Sequence, residues 1–390
     1  MQSVPAPHCA SVTKASVAIR AQVGFKRRAR LPVLRRALLS LVTAVIACQA
    51  TAAKPVVYDT GYEIDRKIVR QSMYWIDDDR LLFEGSETSD MNAAIANRDL
   101  PRIKQLSRLY LWEKKTASVR TYAEGSGLCV ANGVVHYAAG PRSADGRQIM
   151  REGPLGSERE YEVDTSSKQK QTDPIFGQLA CKTFQRADLV PLPEPHRNIV
   201  VLRDGHRYLD LGPNIGADLS LRRAFPRNLV LYLGNSGDEI KLPLTWDEDF
   251  SPFDVVYSEY LGAYVLRPRA IRGSPIGQSH SWPADRPLIV YAISPDGRLQ
   301  TTFVPYLPTE FLTHPHPTKA GWVFGGGDIY KAAGLYLFDG KKVTKLDSGL
   351  VREIAVSPNG CDAAVAIQNK HLHRGRSTNL RIFSFCDGAS

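Results

Sequence analysis

The residues best suited to metal chemistry in this sequence are histidines spaced two apart. His314 and His316 form one pair, and His371 and His373 form another. Alternate residues of a strand share a face, so either pair could present two imidazoles to one ion. The first pair alternates with prolines in a predicted turn, however, and the second lies in a predicted long loop. We therefore expect solvated loop histidines and no metal site.

The run from Asp77 to Asp79 supplies carboxylates, which are ligands that calcium prefers. It lacks the alternating Asp-x-Asp-x-Asp-Gly spacing of a calcium loop, so we interpret it as a solvated turn. The sequence also contains no Gly-x-Ser-x-Gly elbow, no P-loop, no His-Glu-x-x-His and no paired Cys-x-x-Cys. We accordingly expect no catalytic residue and no cofactor.

Arginine is concentrated in three segments that we interpret as loops. Segment 212–228 has a net charge of +2, and segments 267–286 and 368–378 each have +3. The arginine fork matches carboxylates and phosphates, which favours an anionic ligand. The candidate ligand-binding residues are Arg222, Arg223, Arg267, Arg269, Arg272, Trp282, Arg374 and Arg376. The alternative is that these arginines only solvate exposed loops.

Four of the six cysteines lie beyond residue 53, and disulfides are expected if the chain is exported to an oxidising compartment. Cys361 begins one predicted strand and Cys386 ends another. Folding these strands into one hairpin brings the two cysteines opposite each other, which predicts a disulfide. Cys129 and Cys181 are then left as the second pair. The alternative is four buried free thiols.

These residues must be positioned by a repeated hairpin. The segments 109–122, 229–242, 288–304 and 335–346 each read as an aromatic-bearing apolar strand, a polar turn and an alternating strand. A unit that returns at intervals of tens of residues predicts a repeat architecture. No long amphipathic helix is expected beyond residue 53.

Grouping the strands in fours predicts an all-β fold, a six-bladed β-propeller over residues 54–390. The second blade is completed through 161–163 and 179–184, and the fifth starts at 310–312. The sixth blade lacks a fourth strand, and the unassigned segment 56–64 can pair with 380–386 to supply it. That pairing would close the ring and remove an open sheet edge. A pair of β-sandwiches is the alternative architecture.

Two turns carry a family resemblance. Ser294-Pro-Asp-Gly297 and Ser357-Pro-Asn-Gly360, each after an apolar strand, resemble the repeats of TolB-type periplasmic six-bladed β-propellers. The resemblance implies a closed ring used as a binding platform in the bacterial envelope. It transfers no catalytic residue to this chain.

Residues 1–53 differ from the rest, with eight Lys or Arg, no Asp or Glu, and a short apolar run at 37–47. This pattern predicts a secretory signal. Val45 to Cys48 resembles a lipobox, which would make Cys48 a lipidated N-terminus, whereas Thr51 to Ala53 offers an ordinary signal-peptidase site. An uncleaved anchor is the third alternative. The basic region is long, so a start downstream of Met1 is a further possibility.

Removal of those eight cations takes the formal net charge from +10 to about +2. Nucleic acid is therefore not an expected partner. We expect a monomeric, non-enzymatic binding platform in the periplasm or anchored to the outer membrane, or a secreted protein. Its partner would be an envelope protein, an anionic glycan or a lipid headgroup. The alternatives are a lyase or lactonase acting in a central channel, and a purely structural surface lipoprotein.

Overall fold

The computed structural model describes residues 54–64, 71–99, 107–131, 133–140, 146–164, 197–201, 208–213, 229–233, 238–242, 250–270, 288–304, 315–326, 333–368 and 378–387. These residues form strands and one short helix, so the predicted all-β fold class is confirmed.

The first group of strands is β1 (Val56–Ile64), β2 (Met73–Trp75), β3 (Arg80–Glu87), β4 (Arg108–Glu113) and β5 (Ser118–Ala123), with α1 (Thr88–Ala96) after β3. The second is β6 (Ser126–Ala131), β7 (Val134–Ala138), β8 (Arg147–Pro154) and β9 (Arg159–Asp164). The third is β10 (Arg197–Val201), β11 (Tyr208–Pro213), β12 (Leu229–Leu233) and β13 (Asp238–Leu242).

The fourth group is β14 (Phe250–Ser258), β15 (Ala263–Ala270), β16 (Leu288–Ile293) and β17 (Leu299–Val304). The fifth is β18 (His316–Thr318), β19 (Gly321–Gly326), β20 (Gly334–Phe338) and β21 (Val343–Ser348). The last is β22 (Leu350–Val356), β23 (Asp362–Gln368) and β24 (Asn379–Ser384). The second to fifth groups each form a four-stranded antiparallel sheet whose strand order follows the chain.

The turns within these sheets are made by short polar side chains. In the β20–β21 turn, Asp339 Oδ1 accepts hydrogen bonds from the backbone N–H groups of Lys341 and Lys342, both at 2.9 Å. Such a turn is stabilised by hydrogen bonds from its own aspartate to its own backbone, and it does not require contacts with other segments. All five residues of β20 are buried, whereas β21 has only half-buried and exposed positions. The four hairpins predicted from the repeated pattern are all confirmed.

Strand β1 pairs with strands from both the beginning and the end of the described region. Val56 pairs with Ser384 and Tyr58 with Ile382, so β1 lies antiparallel to β24 as predicted. At its other end, Ile64 pairs with Gly85 of β3. The last three strands, β1 and β2–β5 therefore form one continuous eight-stranded ladder. Within it we call β22–β24 with the β24-paired part of β1 the last sheet, and β2–β5 the first sheet.

Where side-chain burial is described, apolar clusters join groups of strands that are consecutive in the chain or, in one case, the last group and the first. One cluster of buried side chains joins the fourth and fifth groups, including Val265 and Phe324. A second joins the fifth and last groups, including Leu337 and Phe383. The largest joins the last group to the first, and a fourth joins the first to the second. Apolar burial of this kind is the main force that holds sheets together.

Two strands differ from the sequence-based predictions. The third strand of the second sheet is β8, and 161–163 lies in β9; the predicted segment 179–184 lies outside the described residues. The β8–β9 hairpin was missed because ion pairs, such as Arg151 with Glu160, take the place of an apolar alternation. The fifth sheet begins with β18, so His316 is a strand residue; the predicted 310–312 strand lies outside the described residues. Helix α1 was not predicted, and its nine residues are too few to give a clear periodicity.

Candidate functional site at the junction of the first and last sheets

The predicted arginine-rich surface lies almost entirely outside the described residues, which is where Arg222, Arg223, Arg272, Trp282, Arg374 and Arg376 fall. Arg267 and Arg269 are within β15, opposite Asp254 and Ser251, although their side chains are not described. The segment predicted as a loop from residue 267 therefore begins as strand. The assignment of these eight residues to ligand binding stays a prediction.

Of the four candidate metal ligands, only His316 lies within the described residues. His314, His371 and His373 lie outside the described residues. Within the described part of the chain, no three His, Cys, Asp or Glu side chains are grouped to hold a metal ion.

Asp77–Asp79 belongs to the β2–β3 turn, as predicted. Asp77 accepts hydrogen bonds from Arg80 Nε at 2.8 Å and from the backbone N–H of Asp79 at 3.0 Å. Burial opposes the effect, but these bonds lower the pKa of Asp77. The Asp77 carboxylate therefore stabilises the β2–β3 turn through hydrogen bonds within it.

A cluster of three charged side chains lies where the last sheet meets the first. Lys114, in the β4–β5 turn, places Nζ 3.0 Å from Asp362 Oδ2 and 3.1 Å from Asp387 Oδ2. Ser384 Oγ donates a hydrogen bond to Asp387 at 2.8 Å. We call Lys114, Asp362, Ser384 and Asp387 the clasp.

The electrostatics of the clasp follow from its burial. Asp362 has no exposed surface, and burial raises its pKa while hydrogen bonds from Ser384 and Lys114 oppose that rise. Burial acts to lower the pKa of Lys114, but its bonds to Asp362 and Asp387 raise it. The bond from Ser384 lowers the pKa of Asp387. A buried carboxylate needs a cation of this kind, since an unpaired charge is costly in a protein interior.

The β22–β23 turn makes further contacts with other sheets. Asn359 donates its backbone N–H to Asp78 of the β2–β3 turn at 2.8 Å. Gly360 accepts a hydrogen bond from the backbone N–H of Lys319 in the β18–β19 turn at 2.9 Å. Gly360 has φ +73°, and a Cβ built there would lie 2.5 Å from Cδ2 of Tyr260 in the β14–β15 turn. Turns from four different groups therefore meet at residues 357–361, namely β22–β23, β2–β3, β18–β19 and β14–β15.

The opposite edge of the same junction is held by a glutamate. Glu353 of β22 accepts hydrogen bonds from the backbone N–H groups of Ser72 and Met73 at 2.7 and 3.1 Å. Trp75 Nε1 donates to the carbonyl of Ala355 at 2.9 Å. Side chains of one sheet thus satisfy the backbone of the other, which fixes their relative register.

Both cysteines of the predicted C-terminal pair are bonded. Cys361 and Cys386 form a disulfide, with Cα atoms 5.3 Å apart. Cys129 also takes part in a disulfide. Its predicted partner, Cys181, lies outside the described residues, so that pairing stays a prediction.

One buried histidine lies apart from the junction. His136 of β7 has no exposed surface, and its Nδ1 is 3.7 Å from Glu152 Oε2 of β8. Burial lowers the pKa of His136, although the nearby Glu152 carboxylate opposes this. An imidazole with a lowered pKa is neutral at pH 7, which makes it a candidate for acid sensitivity.

The arrangement at the junction supports structure more directly than catalysis. Its charged groups pair with one another, and the hydroxyl of Ser384, which lies 3.5 Å from Lys114 Nζ, donates its hydrogen bond to Asp387. Sequence reasoning missed Lys114, Asp362 and Glu353 because their partners lie on distant segments. The sequence signals that pointed to this region were the turn motif Ser357-Pro-Asn-Gly360, the predicted Cys361–Cys386 pair and the predicted pairing of 56–64 with 380–386.

No protein-family model matches this chain, and no curated protein matches it. Among solved structures, the β-propeller domain of the Trilobed protease from Pyrococcus furiosus is similar at 10% identity and a TM-score of 0.28, over 80% of this chain and 83% of that one. The acylaminoacyl peptidase of Pyrococcus horikoshii is similar at 9% identity and a TM-score of 0.29, over 81% of this chain and 44% of that one. An extracellular domain from B. thetaiotaomicron has 10% identity and a TM-score of 0.29, over 85% and 38%. This chain spans less than half of the latter two.

Among the described residues, none of the helical segments has both the length and the apolar character needed to cross a bilayer.

Proposed function

We propose that this chain is a six-bladed β-propeller, closed by its first strand, that acts as a non-enzymatic binding platform for an anionic ligand or partner in the bacterial envelope. The observation that carries the architecture is the pairing of β1 with β24. It supplies a fourth strand to a last sheet that otherwise has three. The other groups each have four strands in chain order, which is the organisation of propeller blades.

The packing of the described residues supports a ring. Apolar clusters join consecutive groups from the fourth through the last, on to the first and the second. The turns between first and second strands converge at residues 357–361, as they would around a central axis. A pair of separate sandwiches has no reason to bring four such turns together.

Ring closure has a direct test in solution. Small-angle scattering of the chain from residue 54 onward should give a radius of gyration of about 20 Å, the value for a compact domain of this length. Removing residues 54–64 should abolish cooperative unfolding, because β24 then loses its partner. A markedly larger radius, or unchanged unfolding after the truncation, would contradict the closed ring.

The binding function rests on the charge of three connections. Segments 212–228, 267–286 and 368–378 each contain the link between the second and third strands of a sheet, and together they carry +8. In a propeller these links emerge on one face. Since residues 54–390 carry only about +2 in total, the remainder is net acidic and the positive charge is concentrated on that face.

Titration with polyglutamate, inorganic phosphate and lipopolysaccharide micelles tests the proposal. The variant R269S/R272S/R374S/R376S should bind its preferred anion at least about tenfold more weakly, because several forked contacts are lost. The matched control K115S/R298S/K341S/K342S removes four cations from turns between third and fourth strands, and should bind normally. Equal losses in both variants, or no binding by the unaltered protein, would reject an arginine-rich binding face.

We further propose that residues 1–53 direct export, which places the platform in the envelope. Eight cations without an acidic residue, followed by a short apolar run, support this assignment. Mass spectrometry of the N-terminus from the native host separates the outcomes. A lipidated Cys48 means membrane anchorage, a chain starting at Lys54 means a soluble periplasmic or secreted protein, and retention of residues 1–53 in a cytoplasmic protein contradicts export.

A further inference from the structure

We propose that the Cys361–Cys386 disulfide is a redox-sensitive lock on the junction between the last and first sheets. In this proposal the disulfide holds two carboxylates against Lys114, and its reduction releases them. The proposal concerns how the junction is held and does not depend on which ligand the protein binds.

The first support is the position of the cysteines next to the clasp residues. Cys361 immediately precedes Asp362, and Cys386 immediately precedes Asp387. Both carboxylates lie within 3.1 Å of Lys114 Nζ. One covalent bond therefore sets the spacing of the two groups that bind a single ammonium.

The second support is the end of β24. The strand ends at Ser384, so Cys386 and Asp387 lie beyond its ladder with β23. The backbone N–H of Phe385 donates to the carbonyl of Cys361 at 2.8 Å, which is a single bond in the extension of that ladder. Without the disulfide, a segment that lies beyond the ladder and is held so weakly would open locally.

The third support is on the other side of Cys361. The backbone N–H of Cys361 donates to Asn359 Oδ1 at 2.8 Å. The N–H of Asn359 in turn donates to Asp78 of the first sheet. The disulfide thus lies between two contacts to the first sheet. One is Asn359 with Asp78, and the other is Asp362 and Asp387 with Lys114.

The redox step is an ordinary exchange with a dithiol. A thiolate of the dithiol attacks the half-buried Cys386 sulfur, Cys361 leaves as the thiolate, and the second thiol of the reagent resolves the mixed disulfide. The reagent is oxidised to its disulfide, and both cysteines become thiols after taking up two protons. Cys361 is only 7% exposed, so attack at Cys386 is favoured by access.

A double-mutant comparison tests the lock. K114M should lower the folding equilibrium constant strongly in the oxidised protein. In C361S/C386S the factor by which K114M lowers that constant should be at least about tenfold smaller, since coupled residues give non-additive effects. Arg381 provides the matched control. It also lies on β24, but its shorter ion pair is with Asp347 of β21 at 2.5 Å, its Nε is 3.9 Å from Asp59 of β1, and it makes no ion pair with the clasp among the described residues. R381M should therefore have the same effect with and without the disulfide.

Hydrogen exchange of the unaltered protein gives a second readout, in case a variant fails to fold. After reduction by dithiothreitol, exchange should accelerate severalfold at residues 54–64, 113–117 and 378–387, and stay unchanged at 288–304. Uniform acceleration, or none, would overturn the proposal. So would an equal effect of K114M in the oxidised and disulfide-free proteins.

Discussion

Lys114 Nζ lies 3.0 Å from Oδ2 of Asp362, a fully buried carboxylate that is 248 residues away in the chain. The contact joins the β4–β5 turn to the first residue of β23. It therefore links the first sheet to the last at a second point, in addition to the pairing of β1 with β24. The first and last sheets are held together both by backbone hydrogen bonds and by buried charge.

Replacing Lys114 by Met should destabilise the protein by about 3–5 kcal/mol, because the Asp362 carboxylate stays buried without its cation. Urea unfolding followed by intrinsic fluorescence measures the change. K115M is the matched control, since Lys115 is the next residue in the turn and is exposed. The double variant K114M/D362N should recover part of the loss, and a K114M effect no larger than that of K115M would refute the role of the clasp.

The half-buried Glu353 gives a second prediction. Glu353→Ala removes the acceptor for the backbone N–H groups of Ser72 and Met73, and should cost about 1–3 kcal/mol, the usual penalty for buried donors that lose a partner. Hydrogen exchange should rise at β2. Glu124→Ala is the control, because the Glu124 side chain is 80% exposed. Equal stability of the two variants would show that water replaces the lost acceptor.

The hairpins could be predicted from the sequence because their signals are local. The segment 335–346 alternates in hydrophobicity on both sides of a turn made by Asp339, and the structure places β20 and β21 there. The Cys361–Cys386 pairing was predictable for the same reason, since both residues belong to one hairpin. The β1–β24 pairing followed from counting strands.

The clasp could not be predicted in this way. Nothing in the sequence around Lys114 indicates Asp362, because their proximity is set by the packing of whole sheets. The β8–β9 hairpin was missed for a different reason. Its facing residues include the ion pairs Arg147 with Glu162 and Arg151 with Glu160, so its sequence resembles a polar loop.

The glycine at the meeting point of the turns gives a third prediction. Gly360→Ala introduces a Cβ 2.5 Å from the Tyr260 ring at a residue with φ +73°. Gly340 is a matched control, because its φ is +91° but nothing lies within 4 Å of a Cβ there. Both variants should lose about 1–2 kcal/mol from left-handed backbone strain, and G360A should lose more.

The Tyr260 contact is isolated by a double variant. G360A/Y260A should remove the steric part of the G360A penalty and leave only the backbone part. Thermal unfolding of the unaltered protein, G360A, Y260A and G360A/Y260A measures the difference. Equal costs for G360A and G340A would mean that the Tyr260 ring moves aside freely.

The buried histidine predicts a dependence on pH. Burial lowers the pKa of His136 in the folded protein, whereas in the unfolded chain it should be near its ordinary value of about 6.5. Below that pH the unfolded chain binds more protons than the folded one, so stability must fall as the solution is acidified. The contribution of His136 is fully present above about pH 6.5 and is lost as the pH falls toward its folded pKa, by at most about 1.4 kcal/mol per pH unit.

His136→Gln removes this titration while keeping a polar side chain opposite Glu152. The difference in unfolding free energy between the unaltered protein and H136Q should therefore shrink or reverse between pH 7.5 and pH 5.5, whereas carboxylates common to both proteins cancel. A difference that stays constant across this range would mean that His136 is not the group whose protonation opposes folding.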